Sequence, residues 1–174
     1  SIGDWAFCDC SSLTSVTIPN SVTIIGGHAF QDCTNLESVS IPYGVTSIEG
    51  TTFSGCTNLS SVTIPNSVQS INEYAFNTCL SLTNITIPTS VTRISYDAFS
   101  RCISLTSITI PTSVTSIRER VFYGCTSLKS VTIPSSITII AGSAFENCDS
   151  ITDVYYTGTE EQWNAIAIYS DNEC

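Results

Sequence analysis

The sequence predicts a repeat solenoid that is mainly β, with short helical or 3₁₀ turns. Three residue types carry this prediction, because all six prolines, all seven phenylalanines and seven of the nine cysteines recur every 23 residues. The phenylalanines are Phe7, Phe30, Phe53, Phe76, Phe99, Phe122 and Phe145. Self-similarity at a fixed period of about 20–50 residues is typical of solenoids, whose units pack only against their neighbours. We therefore expect seven units, the first of them truncated.

The first element of each unit is expected to be a strand. Leu13, Val16 and Ile18 follow the pattern Leu-x-x-Val-x-Ile, and its period-2 ending places Val16 and Ile18 on one face. Pro19 then ends the strand, because proline donates no hydrogen bond to a β-ladder. A second short extended segment is expected over residues 22–25.

A tight turn is expected to close the unit. Ala29, Phe30 and Cys33 are spaced by three, which suits a single helical or 3₁₀ turn. Stacked strands lie about 4.8 Å apart. This spacing would bring successive Phe rings within the roughly 4.5–7 Å over which aromatic pairs attract. The period therefore predicts ladders of identical side chains along one continuous core.

These residues resemble a known family. Leu13-x-x-Val16-x-Ile18 matches the strand pattern of leucine-rich repeats, and the unit LTSVTIP-NSVTxI-xxxAFxxC resembles the BspA-type leucine-rich repeat over residues 2–156. The resemblance implies a curved right-handed arc with parallel strands on its concave face. It also implies a surface or secreted protein that is similar to adhesins.

The sequence departs from the common leucine-rich repeat at one position. Where that repeat places a buried Asn or Cys, this chain has a different set of residues: Ser21, Gly44, Ser67, Ser90, Ser113 and Ser136. The usual asparagine ladder is therefore expected to be absent, and the cysteine ladder lies elsewhere in the unit.

The last unit breaks the pattern, so the chain is divided into a solenoid over residues 1–156 and a C-terminal cap over residues 157–174. Thr159 and Gln162 are spaced as a capping box that opens a short helix. Trp163 stands where the next ladder Ile would fall, and we expect Trp163 and Ile166 to cover the end of the core. At the other end Ile2 already occupies a mid-unit position, from which we expect the chain to continue a longer array.

Composition excludes several classes of function. The net charge of −10 would repel a nucleic-acid backbone. No apolar run approaches the roughly 18 residues of a membrane span, so no membrane insertion is expected. No phosphate-cradling glycine loop, metal cluster or nucleophile–base pair is visible. We therefore expect neither enzymatic activity nor a cofactor.

Three features that suggest chemistry have plainer interpretations. The cysteine ladder is interpreted as buried core thiols. Parallel Cβ vectors fit a disulfide poorly, and a ladder spreads along a line the ligands that zinc needs around one point. Cys8 and Cys174 lie off the ladder, and each could be bridged or free. His28 is interpreted as a solvated turn residue. Asp97 and Arg120, one period apart, are expected to form a surface ion pair worth at most about 1 kcal/mol.

Two surfaces are candidates for binding a partner. The first, which we call the hydroxyl face, consists of the outward positions of the first strands: Ser15, Thr17, Ser38, Ser40, Ser61, Thr63, Asn84, Thr86, Ser107, Thr109, Ser130 and Thr132. The second, the turn edge, gathers residue types that dominate binding hot spots. It consists of Trp5, Tyr74, Tyr96, Arg118, Arg120 and Tyr123.

The leading hypothesis is a non-catalytic interaction module of a cell-surface or secreted protein that binds a protein or glycan on a host or neighbouring cell. The alternative is a structural spacer that carries another domain. Ice binding by the regular Thr files is a third hypothesis, which concave curvature disfavours.

Overall fold

The computed structural model describes residues 1–172, which wind into a solenoid of parallel strands, as predicted. The first strands of the units are β1 (Ser38–Ser40), β3 (Ser61–Thr63), β6 (Ser107–Thr109), β8 (Ser130–Ile133) and β10 (Asp153–Tyr156). The second strands are β2 (Ser47–Ile48), β4 (Ser70–Ile71), β5 (Arg93–Ile94), β7 (Ser116–Ile117), β9 (Ile139–Ile140) and β11 (Ala167–Ile168). The single helix within these residues is α1 (Glu160–Asn164).

The strand register follows the sequence period. Val39 pairs with Val62 and Ile108 pairs with Val131, in both cases 23 residues apart, so like side chains lie above one another. The seven Phe rings form a single file with centroid spacings of 5.2–5.8 Å and interplanar angles of 5–13°. The predicted Phe ladder is therefore confirmed.

The turn segments differ from a continuous 3₁₀ turn. The N–H groups of Gln31 and Cys33 donate to carbonyls three residues earlier, as expected, but those of Phe30 and Asp32 donate to the next unit. Residues 28 and 32 of this unit have positive φ, of 59° and 56°. Along the turn, every second N–H group therefore points along the solenoid axis towards the next unit. The turns thus contribute their own inter-unit hydrogen-bond ladder, which apolar spacing alone did not predict.

Two side-chain ladders add further bonds between units. The Oγ atoms of Ser67, Ser90, Ser113 and Ser136 each donate to a Val carbonyl of the preceding unit at 2.5–2.7 Å. Serine therefore bonds at the position where the common repeat has asparagine. The cysteine thiols from Cys33 to Cys148 are buried, and each donates to the carbonyl of a Phe 26 residues earlier at 3.0–3.3 Å.

The strand ladders are interrupted near the middle of the solenoid. No backbone hydrogen bond joins residues 84–87 to either neighbouring unit, and none joins residues 92–95 to residues 115–118. The turn segments of the same units remain bonded, for example from the Phe99 N–H to the Val121 carbonyl at 2.9 Å. We call this interruption the break. It removes ladder hydrogen bonds from the strand segments of these units, whereas their turn segments keep them.

The C-terminal segment caps the last unit. Thr159 and Gln162 form the expected capping box, Ile166 is buried, and Trp163 packs on the core. Trp163 does not occupy the ladder, however: Ile168 pairs with Ile140, because α1 inserts residues before β11. Cys174 lies outside the described residues. No helix within residues 1–172 is long and apolar enough to cross a bilayer.

Candidate functional site

The turn segments present one row of side chains in the same backbone conformation along the solenoid. The row consists of Trp5, His28, Thr51, Tyr74, Asp97, Arg120 and Ser143, all with φ between 54° and 61°. A non-glycine residue in this left-handed region is disfavoured by roughly 1–2 kcal/mol. Because every unit adopts it, the conformation belongs to the fold rather than to one site. It places Tyr74, Asp97 and Arg120 at the same position in three consecutive units.

Asp97 and Arg120 form the expected ion pair, with Arg120 Nε 3.2 Å from Asp97 Oδ1. The pair is not a surface pair, because the Asp97 side chain is only 8% exposed, against 40% for Arg120. The guanidinium also lies over the Tyr123 ring, with Cζ 4.2 Å from its centroid. Despite burial, which opposes its charge, the Asp97 carboxylate raises the pKa of Arg120. Arg120 is thus held on two sides by its neighbours.

Tyr74 and Tyr96 form an aromatic pair beside this ion pair. Their ring centroids are 5.4 Å apart and the rings are nearly perpendicular, at 86°. Both side chains are exposed, Tyr74 to 38% and Tyr96 to 46%. Partial burial, and then the Asp97 carboxylate, raises the pKa of the Tyr74 hydroxyl, which therefore stays protonated at neutral pH. The perpendicular arrangement leaves aromatic surface open to a ligand.

These side chains line a groove of about 480 Å³, which we call the turn-edge groove. Its lining residues are Tyr74, Asn77, Tyr96, Asp97, Ser100, Arg101, Glu119 and Arg120. Two arginines and two carboxylates give the lining a formal charge of zero. A volume of several hundred Å³ is typical of small-ligand sites.

The sequence prediction of the turn edge missed five lining residues of the groove. They are Asn77, Asp97, Ser100, Arg101 and Glu119, of which Asp97 was predicted only as the ion-pair partner of Arg120. The 23-residue period contained a signal for four of them, since Asn77 and Ser100 share the unit position of Tyr123, Asp97 shares that of Tyr74 and Arg120, and Glu119 shares that of Tyr96.

The remaining members of the turn edge lie outside the groove lining. Arg118 is exposed beside a neighbouring groove, and Tyr123 contributes through its contact with Arg120. Trp5 lies three units away, where its ring stacks on His28 at 3.8 Å and 4°. His28 is therefore not a fully solvated turn residue: it is half-buried, and its Nδ1 lies 2.7 Å from Gln31 Oε1. The turn edge predicted from the sequence therefore combines two separate surface regions, the groove and the Trp5–His28 stack.

The hydroxyl face is regular and chemically uniform. Its twelve predicted residues are exposed or half-buried, and facing pairs such as Ser40 and Thr63 lie in register. A groove of about 410 Å³ opens on this face at the break, next to Asn84, Thr86, Ser107 and Thr109. Hydroxyls and one amide supply its polar groups. The face therefore offers hydrogen bonds but neither the aromatic rings nor the charges of the turn-edge groove.

The buried thiols are poorly suited to chemistry. Burial raises the pKa of Cys33 to about 11 and those of Cys56 and Cys102 to about 12, which keeps the unreactive thiol form. Cys8 is half-buried and Cys10 is exposed, and both are free. In the described part of the chain, no group of three or more His, Cys, Asp or Glu side chains is arranged to hold a metal ion.

Comparisons with known proteins agree with this architecture. The model of the family described as "BspA type Leucine rich repeat region" matches in six copies over residues 1–103 and 47–173. The chain is similar to the solved leucine-rich repeat protein of T. pallidum, with 29% identity and a TM-score of 0.80, over 90% of this chain and 73% of that one.

The chain is also similar to a leucine-rich repeat protein from Bacteroides ovatus, with 30% identity and a TM-score of 0.71. That match covers 91% of this chain but 45% of the Bacteroides protein. The pneumococcal vaccine antigen PcpA has a TM-score of 0.73 at 18% identity, over 92% of this chain and 40% of that one, which is a likeness of fold alone. The comparison with curated proteins gives no match.

Proposed function

The chain belongs to the BspA-type leucine-rich repeat family, and we propose that it is a non-catalytic interaction module that binds a protein or glycan through the turn edge. The observation that carries the proposal is the convergence of Tyr74, Tyr96 and the Asp97–Arg120 pair on one groove. Tyr and Arg are enriched among the residues that dominate binding energies.

The groove is supported by a rigid part of the scaffold, which favours binding. Its three units stay hydrogen-bonded along the turn segments, from the Tyr74 N–H to the Tyr96 carbonyl at 3.3 Å and from the Asp97 N–H to the Glu119 carbonyl at 3.2 Å. Beneath them the rings of Phe76, Phe99 and Phe122 are stacked. Side chains held in this way lose less conformational entropy when a partner binds.

We also propose that the module acts at the cell surface or in secreted form, on a partner carried by a host or neighbouring cell. This placement rests on the family. Protease treatment of intact cells, followed by detection with antibodies to this chain, tests it: a surface protein is digested, whereas an internal one survives.

A binding screen tests the module itself. The chain is screened for saturable binding to matrix proteins and to glycans, together with Tyr96→Ala on the turn edge and Thr63→Lys on the hydroxyl face. Both positions are exposed, so the fold should persist. Loss of binding in Tyr96→Ala alone is the expected result, and loss in Thr63→Lys alone would transfer the site to the hydroxyl face.

The second candidate function is a structural spacer. The observation that favours it is the continuous file of seven Phe rings, which stiffens the solenoid whether or not a partner binds. Absence of saturable binding across the screen would favour the spacer over the interaction module.

A further inference from the structure

We propose that the turn-edge groove takes a neutral oligosaccharide. This inference rests on the proposed function and narrows its partner to one chemical class.

The charge of the groove favours an uncharged ligand. The lining carries Arg101 and Arg120 against Asp97 and Glu119, so its formal charge is zero. A polyanion would be repelled by the whole chain, whose net charge is −10. A basic partner would be drawn elsewhere, because residues 1–92 contain acids but no Lys or Arg. A neutral ligand meets neither obstacle.

The hydrogen-bonding groups require a ligand that both donates and accepts. Arg101 and Glu119 are exposed, and a guanidinium only donates whereas an ionised carboxylate only accepts. Arg120 uses Nε to bond Asp97, and within residues 1–172 its two Nη groups donate no hydrogen bond. Sugar hydroxyls do both, so neighbouring hydroxyls of one ring can bridge an arginine and a carboxylate.

The aromatic surface and the size agree with a saccharide. A sugar ring has an apolar C–H face, and the exposed rings of Tyr74 and Tyr96 can bury it. Protein partners usually need about 800 Å² on each side. A groove of about 480 Å³ is instead on the scale of small-ligand pockets.

The test uses the full chain and three variants, all at exposed positions. A glycan array with neutral, sialylated and sulfated oligosaccharides identifies ligands, and calorimetry measures their affinity at low and high salt. Tyr96→Ala and Arg101→Ala alter the groove. Tyr43→Ala is the matched control, because Tyr43 is 73% exposed and does not line the groove. Thermal unfolding by circular dichroism verifies that each variant is folded.

We expect binding of neutral oligosaccharides that weakens about tenfold or more in Tyr96→Ala and in Arg101→Ala but less than about twofold in Tyr43→Ala. Salt should change the affinity less than about twofold, because the ligand is uncharged. Binding restricted to sialylated or sulfated glycans, or equal loss in Tyr43→Ala, overturns the inference. Binding to proteins but to no glycan overturns the inference and leaves the interaction module standing, whereas no binding at all overturns both.

Discussion

Shortening one ring in the middle of the Phe file should destabilise the protein more than shortening a ring at its end. Phe76 is fully buried, and its ring stacks on Phe53 at 5.6 Å and on Phe99 at 5.4 Å. Phe7 is 39% exposed and stacks on Phe30 alone. The variants to compare are therefore Phe76→Leu and Phe7→Leu.

The expected magnitudes follow from these contacts. Aromatic pairs contribute about 0.5–1.5 kcal/mol beyond burial, so Phe76→Leu loses about 1–3 kcal/mol from two stacks. Leu has three side-chain carbons fewer than Phe but a branched shape that fills part of the space, so the lost ring volume adds about 1 kcal/mol. The sum, about 2–4 kcal/mol, is a large part of a typical stability of about 5–15 kcal/mol. Phe7→Leu loses one stack at a partly exposed position and should cost less than about 1.5 kcal/mol.

Equilibrium unfolding in urea, followed by far-UV circular dichroism, measures both free energies. For a chain of this length the melting temperature of Phe76→Leu should fall by roughly 5–15 °C. Ile71→Val is the control, since Ile71 is equally buried but is not part of the Phe file, and this change typically costs about 0.5–1.5 kcal/mol. If Phe76→Leu costs no more than Ile71→Val, or no more than Phe7→Leu, the Phe file does not stabilise the solenoid as argued.

Three further predictions concern backbone, pH and dynamics. Gly55 and Gly124 have φ of 74° and 69°, so the left-handed backbone alone should make either change to Ala cost about 1 kcal/mol by urea unfolding. Gly55→Ala should cost more than Gly124→Ala, because its Cβ would contact the Asp32 carboxylate. Equal costs would contradict that contact. Burial raises the pKa of the Cys102 thiol from 9.0 to about 12. The folded state thus keeps a proton that the unfolded state loses, so the contribution of this thiol to the free energy of unfolding should be constant below pH 9 and decrease between pH 9 and 12. Over that range the free energy of unfolding should therefore fall less steeply in Cys102→Ala. Amides of residues 84–87 should exchange with deuterium faster than those of β1 and β8, because they lack ladder hydrogen bonds; equal protection would mean that the break is closed in solution.

The period predicted the features that depend on repetition. A constant 23 residues per unit forces Val39 over Val62 and Phe30 over Phe53, whatever the local conformation between them. The capping box at Thr159 was also predictable, because it depends on two side chains three residues apart. Both features depend on the number of residues between two side chains, which can be read directly from the sequence.

The period did not predict departures from repetition. The break affects the unit of Ile85 although this unit keeps its Ile, Pro and Phe residues. Ile168 rather than Trp163 continues the ladder, because the helix shifts the register by a length that no spacing rule anticipates. The burial of Asp97 was missed as well, since equal spacing says which side chains are neighbours but not how much solvent they keep.

The candidate groove divides in the same way. Periodicity placed Asp97 beside Arg120, but the choice of turn residues by type grouped Trp5 with Tyr74 and Arg120 and omitted Arg101.

By itself, the sequence determined a stack of similar units, because a fixed repeat length and recurring apolar residues suffice to align a core. The tertiary structure alone decided which polar side chains converge on the turn-edge groove and where the break interrupts the strand ladders. Those outcomes depend on how far neighbouring units bury each turn side chain, as they bury Asp97, and on hydrogen bonds between units. Both are settled only when neighbouring units pack against each other.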